Sequence, residues 1–194
     1  MHDLAPAARR LDAVVGSIGD EQLASRTPCE NYRVSGLMDH VLGLTAAFRM
    51  AAEKDPGASA NPPKADPSPE AELPAGWRER VGQQLDELVA AWQRPAAWEG
   101  ETEAGGVTLP APVMATVALQ ELVVHAWDLA KATGQPFDVD QANLEALFGF
   151  LDGAVDENGT PGLFGPPVQL PADAPLLERT IALTGRDPAW RPAA

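Results

Sequence analysis

The sequence predicts an all-α fold: an antiparallel four-helix bundle with additional short helices and a short hairpin. Two observations predict it. Four long stretches carry apolar residues at spacings of three and four, and the segments between them are rich in glycine and proline. The length of 194 residues fits one domain over residues 1–194, with enough chain to bury a core without disulfides.

The first predicted helix covers residues 4–18, and Gly19 is its predicted stop. A connection over residues 20–33 follows. It contains Thr27-Pro28-Cys29, and a residue that precedes proline avoids helical backbone.

Ser35 is the predicted N-cap of a second helix over residues 36–52. His40 lies on or beside the apolar stripe of this helix, three residues after Leu37 and four before Leu44. The stripe as a whole is predicted to contain Leu37, Val41, Leu44 and Phe48.

Residues 55–74 differ in composition from the rest of the chain, with six prolines among alanine, serine and acidic residues. Because proline interrupts both helices and strands, this segment is predicted to be a mobile loop. A loop of this length inside a compact domain is uncommon, so we expect either a lid over a pocket or a tolerated insertion.

The second half of the chain is predicted to be helical as well. A third helix covers residues 75–93, and a short hairpin is predicted within residues 96–109. A fourth helix begins at Pro110 or Pro112 and ends at Thr133, with Gly134 after it. Asp140 caps a fifth helix over residues 141–155, and residues 174–184 form a short last helix.

Composition narrows the classes of function. The formal net charge is −14, with 28 acidic against 14 basic residues, so nucleic acid and anionic membrane surfaces are not expected partners. No long apolar run or secretory signal is visible, and a cytoplasmic protein is expected. A homodimer is an open expectation. The single cysteine excludes cysteine-rich zinc sites, so a metal site would use histidine and carboxylate ligands.

Glu121 and His125 form the strongest local signal. They are four residues apart on the fourth helix, so their side chains lie on one face, and residues on its N-terminal side are apolar. A carboxylate on an apolar face needs a partner, and a metal ion would supply one. The alternative is a hydrogen-bonded pair on the protein surface.

His40 alone would be interpreted as a packed residue at the core boundary. However, His40 and His125 are two of only three histidines, and both lie on predicted bundle-facing stripes, with Glu121 one turn from His125. Bundles build metal sites from facing helices. Two histidines and one carboxylate also leave ligand positions open, as in catalytic metal sites.

Three blocks of the sequence resemble a known family. Thr27–Cys29, with Val34 and Leu37–Gly43, resembles the N-terminal part of the DinB-like superfamily. The similarity is closer to its actinobacterial branch, related to mycothiol-dependent maleylpyruvate isomerase. Glu121–Ala130 resembles the second signature of that branch, and Leu183–Trp190 resembles its terminal segment.

The resemblance implies a four-helix bundle that holds one divalent metal by His40, Glu121 and His125. Zinc is the expected ion, and nickel, iron and manganese also suit these ligands. The implied function is a metal-dependent enzyme that uses mycothiol, or a similar thiol, as cosubstrate to act on a small electrophile as S-transferase or isomerase. The alternative is a non-catalytic bundle that binds a metal or a small molecule. No separate general base can be identified.

Four further residues have competing interpretations. Asp128 either orients a metal ligand or makes a solvent-facing or interhelical hydrogen bond. Cys29 is either a packed thiol after a turn or a reactive group, and the packed thiol is expected. Trp127 is expected in the core rather than at a substrate. His2 is expected to lie at a frayed terminus without a function.

Overall fold

The structure, a computed structural model, describes residues 1–55, 69–160 and 163–192. The predicted helices are all present, and each boundary lies within two residues of the predicted one. Residues 56–68, the greater part of the predicted mobile loop, lie outside the described residues. The elements are α1 (Ala5–Gly16), α2 (Val34–Glu53), α3 (Trp77–Trp92), β1 (Glu101–Ala104), β2 (Val107–Pro110), α4 (Ala111–Thr133), α5 (Gln141–Ala154) and α6 (Leu176–Leu183).

Helices α1 to α4 form the predicted four-helix bundle. Both α1 and α2 pack against α3 and α4, so the order around the bundle is α1, α3, α2, α4. The core between them consists of the apolar stripes that the sequence shows. Its fully buried side chains include Leu11, Leu37, Met38, Leu85, Leu88, Met114, Leu119 and Leu129.

The start of α2 differs from the prediction that Ser35 caps the helix. The helix begins at Val34, and no side chain caps it. Carbonyl groups of the preceding loop satisfy its first amides instead: the amide of Val34 donates to Ser25 at 3.0 Å, and that of Ser35 to Leu23 at 2.9 Å. Because these donors already have partners, a side-chain cap is not needed.

Strands β1 and β2 form the predicted hairpin. Gly105 and Gly106 connect them with φ of 60° and 79°. A two-residue turn with positive φ at both positions matches the right-handed twist of the strands, and glycine adopts this conformation without strain. The hydroxyl of Thr102 in β1 donates to the carbonyl of Ala51, which attaches the hairpin to the end of α2.

Helix α4 is the central helix of the bundle. Pro112 lies in its first turn, and Gly134 ends it with φ of 72°. Among the described residues α4 is the one helix long and apolar enough to cross a membrane by length and composition, but 83% of the tested window is buried inside the protein. Burial of this kind is typical of the core helix of a bundle.

Helices α5 and α6 pack beside the bundle rather than within it. The side chain of Asp140 accepts a hydrogen bond from the amide of Asn143 at 3.2 Å, which confirms the predicted cap of α5. Beyond α6, the ammonium of Lys131 donates to the carbonyl of Pro188 at 2.8 Å. The chain after α6 therefore returns to α4, where Glu121 and His125 lie.

Candidate metal centre

Helices α2 and α4 bring His40, Glu121 and His125 together. Nε2 of His125 lies 2.9 Å from Oε2 of Glu121, and Nε2 of His40 lies 3.9 Å from the same oxygen. One ligand atom from each of the three residues lies within 4.8 Å of the others. The three side chains are therefore neighbours, although His40 is more than 80 residues from the other two in the sequence.

The helical spacing explains half of this cluster. Glu121 and His125 are one turn apart on α4, so both side chains point toward α2. His40 points back from α2, with its ring centroid 5.1 Å from that of His125 and the two planes at 83°. With 17% and 8% of their side chains exposed, Glu121 and His125 are not the surface pair that was the alternative interpretation.

Asp128 holds the other side of the His125 ring. Oδ2 of Asp128 lies 3.0 Å from Nδ1 of His125, and Asp128 is fully buried. Arg186 donates to the same carboxylate twice, from Nε at 2.8 Å and from Nη2 at 2.9 Å. Nδ1 is thereby fixed as a donor, and Nε2 is directed toward Glu121 and His40.

The buried charges at the cluster balance one another. Burial lowers the pKa of His125, but hydrogen bonds with Asp128 and Glu121 outweigh it and raise that pKa to about 9. Burial likewise raises the pKa of Glu121, yet the hydrogen bond and charge of His125 hold it below its usual value. Without a metal ion, Glu121 is therefore an anion whose partner is the imidazolium of His125.

His40 has a different environment. Burial, followed by the charge of His125, lowers the pKa of His40 to about 4, although Glu121 and Asp39 oppose the shift. At neutral pH its imidazole is therefore uncharged. The ring of Tyr32 stacks on it, with centroids 5.1 Å apart and planes at 22°. The stack restricts the orientation of a group that is available as a ligand.

The cluster fits a divalent ion by its chemistry and its spacing. Imidazole nitrogens and a carboxylate are ligands of zinc, iron, nickel and manganese. Ligands at zinc distances in tetrahedral geometry lie about 3.3 Å apart. The measured separations, from 2.9 Å to below 4.8 Å, bracket that value.

The three residues line a cavity of about 530 Å³ between α2, α4 and the hairpin. Cys29, Tyr32 and Arg186 line it as well. Burial, followed by the charge of Asp128, raises the pKa of Cys29 to about 11, so this side chain is a thiol at neutral pH. This environment agrees with the expected packed thiol rather than a reactive one.

The loop before α2 positions the side chains at the cavity. The hydroxyl of Thr27 lies 2.9 Å from the carbonyl oxygen of Cys29 and 2.8 Å from that of Tyr32, and the amide of Tyr32 donates to Cys29 at 2.9 Å. The sequence Thr27-Pro28-Cys29 thus forms a turn that places Tyr32 over His40.

Two residues of the site were not identified from sequence. Arg186 belongs to the segment Leu183–Trp190, whose family resemblance was the available signal, but nothing in its spacing indicates a bond to Asp128. Tyr32 is the single tyrosine of the chain, and its contact with His40 depends on the turn before it. Asp128 proves to orient a candidate ligand rather than to face solvent.

Trp127 and His2 show one expectation confirmed and one corrected. Trp127 is buried beside Ile181 and Phe137, in the core as predicted. His2 is not frayed: its Nε2 lies 3.1 Å from the hydroxyl of Thr116, and its ring packs edge-on against Trp98. His2 does not belong to the candidate metal cluster.

Comparison with known proteins agrees with this arrangement. Curated relatives include uncharacterised proteins from two strains of Mycobacterium tuberculosis, each 30% identical over 139 residues. That alignment covers 66% of this chain and 64% of each relative, so the chain spans less than two thirds of their length.

Two solved structures have a similar fold. One is a mycothiol-dependent maleylpyruvate isomerase, with a TM-score of 0.56 and 19% identity over 76% of this chain and 66% of the other. The second is a variant of such an isomerase with one histidine replaced by alanine, with a TM-score of 0.57 and 17% identity over 80% and 71% of the two chains. The profile of the mycothiol maleylpyruvate isomerase N-terminal domain matches residues 4–130, about two thirds of the sequence. The chain therefore belongs to the mycothiol maleylpyruvate isomerase N-terminal domain family.

Proposed function

We propose that the chain binds one divalent metal ion through His40, Glu121 and His125 and uses a low-molecular-weight thiol to transform a small electrophile. Mycothiol is the thiol that the family name suggests. The reaction is an isomerisation or an S-transfer. The observation that carries the proposal is the meeting of two imidazoles and one carboxylate at the wall of a cavity large enough for small molecules.

Zinc is the metal we expect, with nickel, iron or manganese as alternatives that the same ligands accept. When bound, such an ion supplies a Lewis acid that favours the thiolate form of the thiol. Three protein ligands leave at least one position open, which is typical of catalytic rather than structural sites.

The residues around the ligands keep the site in one arrangement. Asp128, held by Arg186, fixes the ring of His125, and Tyr32 fixes the ring of His40. Burial raises the pKa of Tyr32 to about 12, so its hydroxyl remains a hydrogen-bond donor at neutral pH. These contacts support preorganisation, because the ligands need little rearrangement when the site is loaded.

The chemistry of the thiol divides between the two reaction types. The S–H proton leaves to solvent, and the sulfur lone pair forms a bond to an electrophilic carbon. With an activated cis alkene, the π electrons move to the conjugated carbonyl. Rotation about the resulting single bond and expulsion of the thiolate then give the trans isomer and regenerate the thiol. In an S-transfer the sulfur stays bound, and either the neighbouring carbon takes a proton or a leaving group departs with its electron pair.

Cys29 does not supply the nucleophile in this proposal. Its raised pKa keeps it protonated, so an external thiol that ionises at the site has no competitor from the protein. We expect the protein to act in the cytoplasm, where thiols are kept reduced.

Thiol binding tests the proposal. Mycothiol, or a simple analogue, is titrated by calorimetry into zinc-loaded protein and into protein stripped with a chelator. We expect binding to the loaded form only, with proton release that appears as a different heat in two buffers of different ionisation enthalpy. Equal binding to both forms, or none to the zinc, nickel and iron forms, contradicts thiol chemistry at this site.

Turnover separates an enzyme from the alternative, a non-catalytic metal-binding bundle. Loaded protein is mixed with thiol and a panel of small electrophiles, and thiol consumption is followed against a His40→Ala control. Consumption above that control supports the enzyme. Thiol binding without consumption of any electrophile favours the binding bundle.

A further inference from the structure

The cavity beside the ligands changes from polar to apolar along both of its helices. On α2 the lining passes from His40 through Leu44 to Phe48, and on α4 it passes from His125 to Met114. At a rise of 1.5 Å per residue these paths are each more than about 10 Å long. A molecule that extends from the ligands toward the far end therefore leaves the polar groups and meets aliphatic and aromatic side chains.

The hairpin completes the apolar end. Ala104 pairs with Val107, and Thr102 pairs with Leu109, so these four side chains share one face of the two strands. Ala104, Val107 and Leu109 line the cavity. The face that the hairpin presents to the cavity is therefore apolar.

The mouth of the cavity exposes apolar surface. Val107 is 55% exposed and Leu163 is 69% exposed, and both line the cavity. Among the described residues the one other large apolar side chain with high exposure is Met1. Clustered exposed apolar side chains at a concave site are typical of ligand binding.

The charge of the lining argues against an anionic electrophile. Within the described part of the chain, Arg186 is the one lysine or arginine that lines the cavity. Two of its nitrogens are bound to Asp128, and the third lies 3.3 Å from the carbonyl oxygen of Thr184. Its charge is therefore already paired. A dicarboxylate in the apolar end would lose its hydration without gaining a cationic partner.

We propose that the electrophile of this site is an uncharged molecule with an aromatic or aliphatic body, held between the β1–β2 hairpin and the apolar ends of α2 and α4. This inference rests on the proposed function for the word electrophile, but its test needs only binding. Val107 is the residue through which the hairpin contacts that body at the mouth.

Calorimetric binding of two probes tests this proposal in metal-free and zinc-loaded protein. The uncharged probe is 1,3-dinitrobenzene, which lacks a leaving group, and the anionic probe is maleate. We expect dinitrobenzene to bind both forms and maleate to bind at least roughly tenfold more weakly. Maleate binding as tight as that of dinitrobenzene would overturn the proposal.

Two variants of the hairpin locate the binding. Val107→Asp places a charge on the cavity face, and Thr108→Asp places the same charge on the opposite face of the same strand. We expect roughly tenfold weaker dinitrobenzene binding for the first and no change for the second. Val107→Ser, a smaller change, should weaken binding in the same direction. Unchanged affinity in both Val107 variants, with a wild-type circular dichroism spectrum, contradicts the proposed position.

The two proposals fail separately. Dinitrobenzene binding without any thiol consumption leaves the apolar cavity in place and removes the enzymatic function. Thiol consumption with maleate-like electrophiles, but not with uncharged aromatic ones, leaves the enzymatic function in place and removes the substrate class.

Discussion

Arg186 donates two hydrogen bonds to Asp128, from Nε at 2.8 Å and from Nη2 at 2.9 Å, across 58 residues of sequence. Both side chains are buried, and the same carboxylate faces Nδ1 of His125. The segment after α6 is thereby joined to the candidate metal centre by a charged contact. A parallel pair of bonds between a guanidinium and a carboxylate is stronger and more directional than a single neutral hydrogen bond.

Replacement of Arg186 by leucine should destabilise the protein strongly. Asp128 would keep only His125 as a partner for a buried charge, and breaking one side of a buried ion pair costs about 3–5 kcal/mol. Urea unfolding followed by circular dichroism measures the free energy of unfolding. Arg191→Leu, at an exposed position, is the matched control and should change it by less than about 0.5 kcal/mol. Similar values for the two variants would show that the buried pair adds no stability.

Replacement of Asp128 by asparagine should weaken metal binding rather than abolish it. The amide preserves the shape of the side chain but removes the charge that holds Nδ1 of His125 as a donor. Loss of such a partner typically costs 10- to 100-fold in metal affinity, so roughly this factor is expected. Competition with a chromogenic chelator gives the affinity. The exposed Asp152→Asn is the control and should bind as wild type. An unchanged affinity in Asp128→Asn would remove the positioning role.

Replacement of His125 by alanine should remove metal retention and leave the helices intact. The ligands lie at the wall of a cavity, whereas the buried apolar stripes of α1 to α4 form the core. The far-ultraviolet circular dichroism spectrum should therefore retain its helical signal, and elemental analysis should find no bound ion. His2→Ala, outside the cluster, should retain the ion. Global unfolding of the His125 variant would show that the site is structural.

Alkylation of Cys29 should depend on pH in a way that reports its burial. Its pKa is raised to about 11, so at pH 8 the folded protein should react roughly hundredfold more slowly with iodoacetamide than urea-unfolded protein. The rate in the folded state should rise up to about pH 11. Cys29 is the single cysteine, so mass spectrometry follows it without ambiguity. Equal rates in the two states would place the thiol in solvent.

The same shift has a consequence for stability. Because the pKa of Cys29 is higher in the folded state, the unfolded state releases this proton first as pH rises. The contribution of Cys29 to stability should therefore be constant below about pH 8.5 and decrease between that value and about pH 11. Cys29→Ser is the control, because this part of the pH dependence should be absent from it.

The sequence predicts the fold and the candidate ligands well, because both depend on periodicity. Apolar spacing of three and four locates each helix, and the one-turn separation of Glu121 and His125 fixes their common face. His40 follows from its place on the stripe of α2. These are local features of a regular helix, so they can be recognised without knowledge of the tertiary structure.

The remaining parts of the site depend on contacts between distant or irregular segments. The bond between Asp128 and Arg186 joins a helix to a loop after α6, and no sequence period relates the two. Tyr32 reaches His40 through a turn, whose conformation depends on hydrogen bonds from Thr27. The start of α2 was misplaced for the same reason, since carbonyls of the preceding loop, rather than Ser35, bind its first amides.

The central claim is that His40, Glu121 and His125 hold one divalent ion, and the metal content of the purified protein tests it most directly. The protein is purified without an immobilised-metal column and analysed by inductively coupled plasma mass spectrometry, before and after exposure to zinc or nickel. The account predicts about one equivalent of zinc, or of a related divalent metal, per chain. Less than about a tenth of an equivalent, not restored by added zinc or nickel, would contradict it.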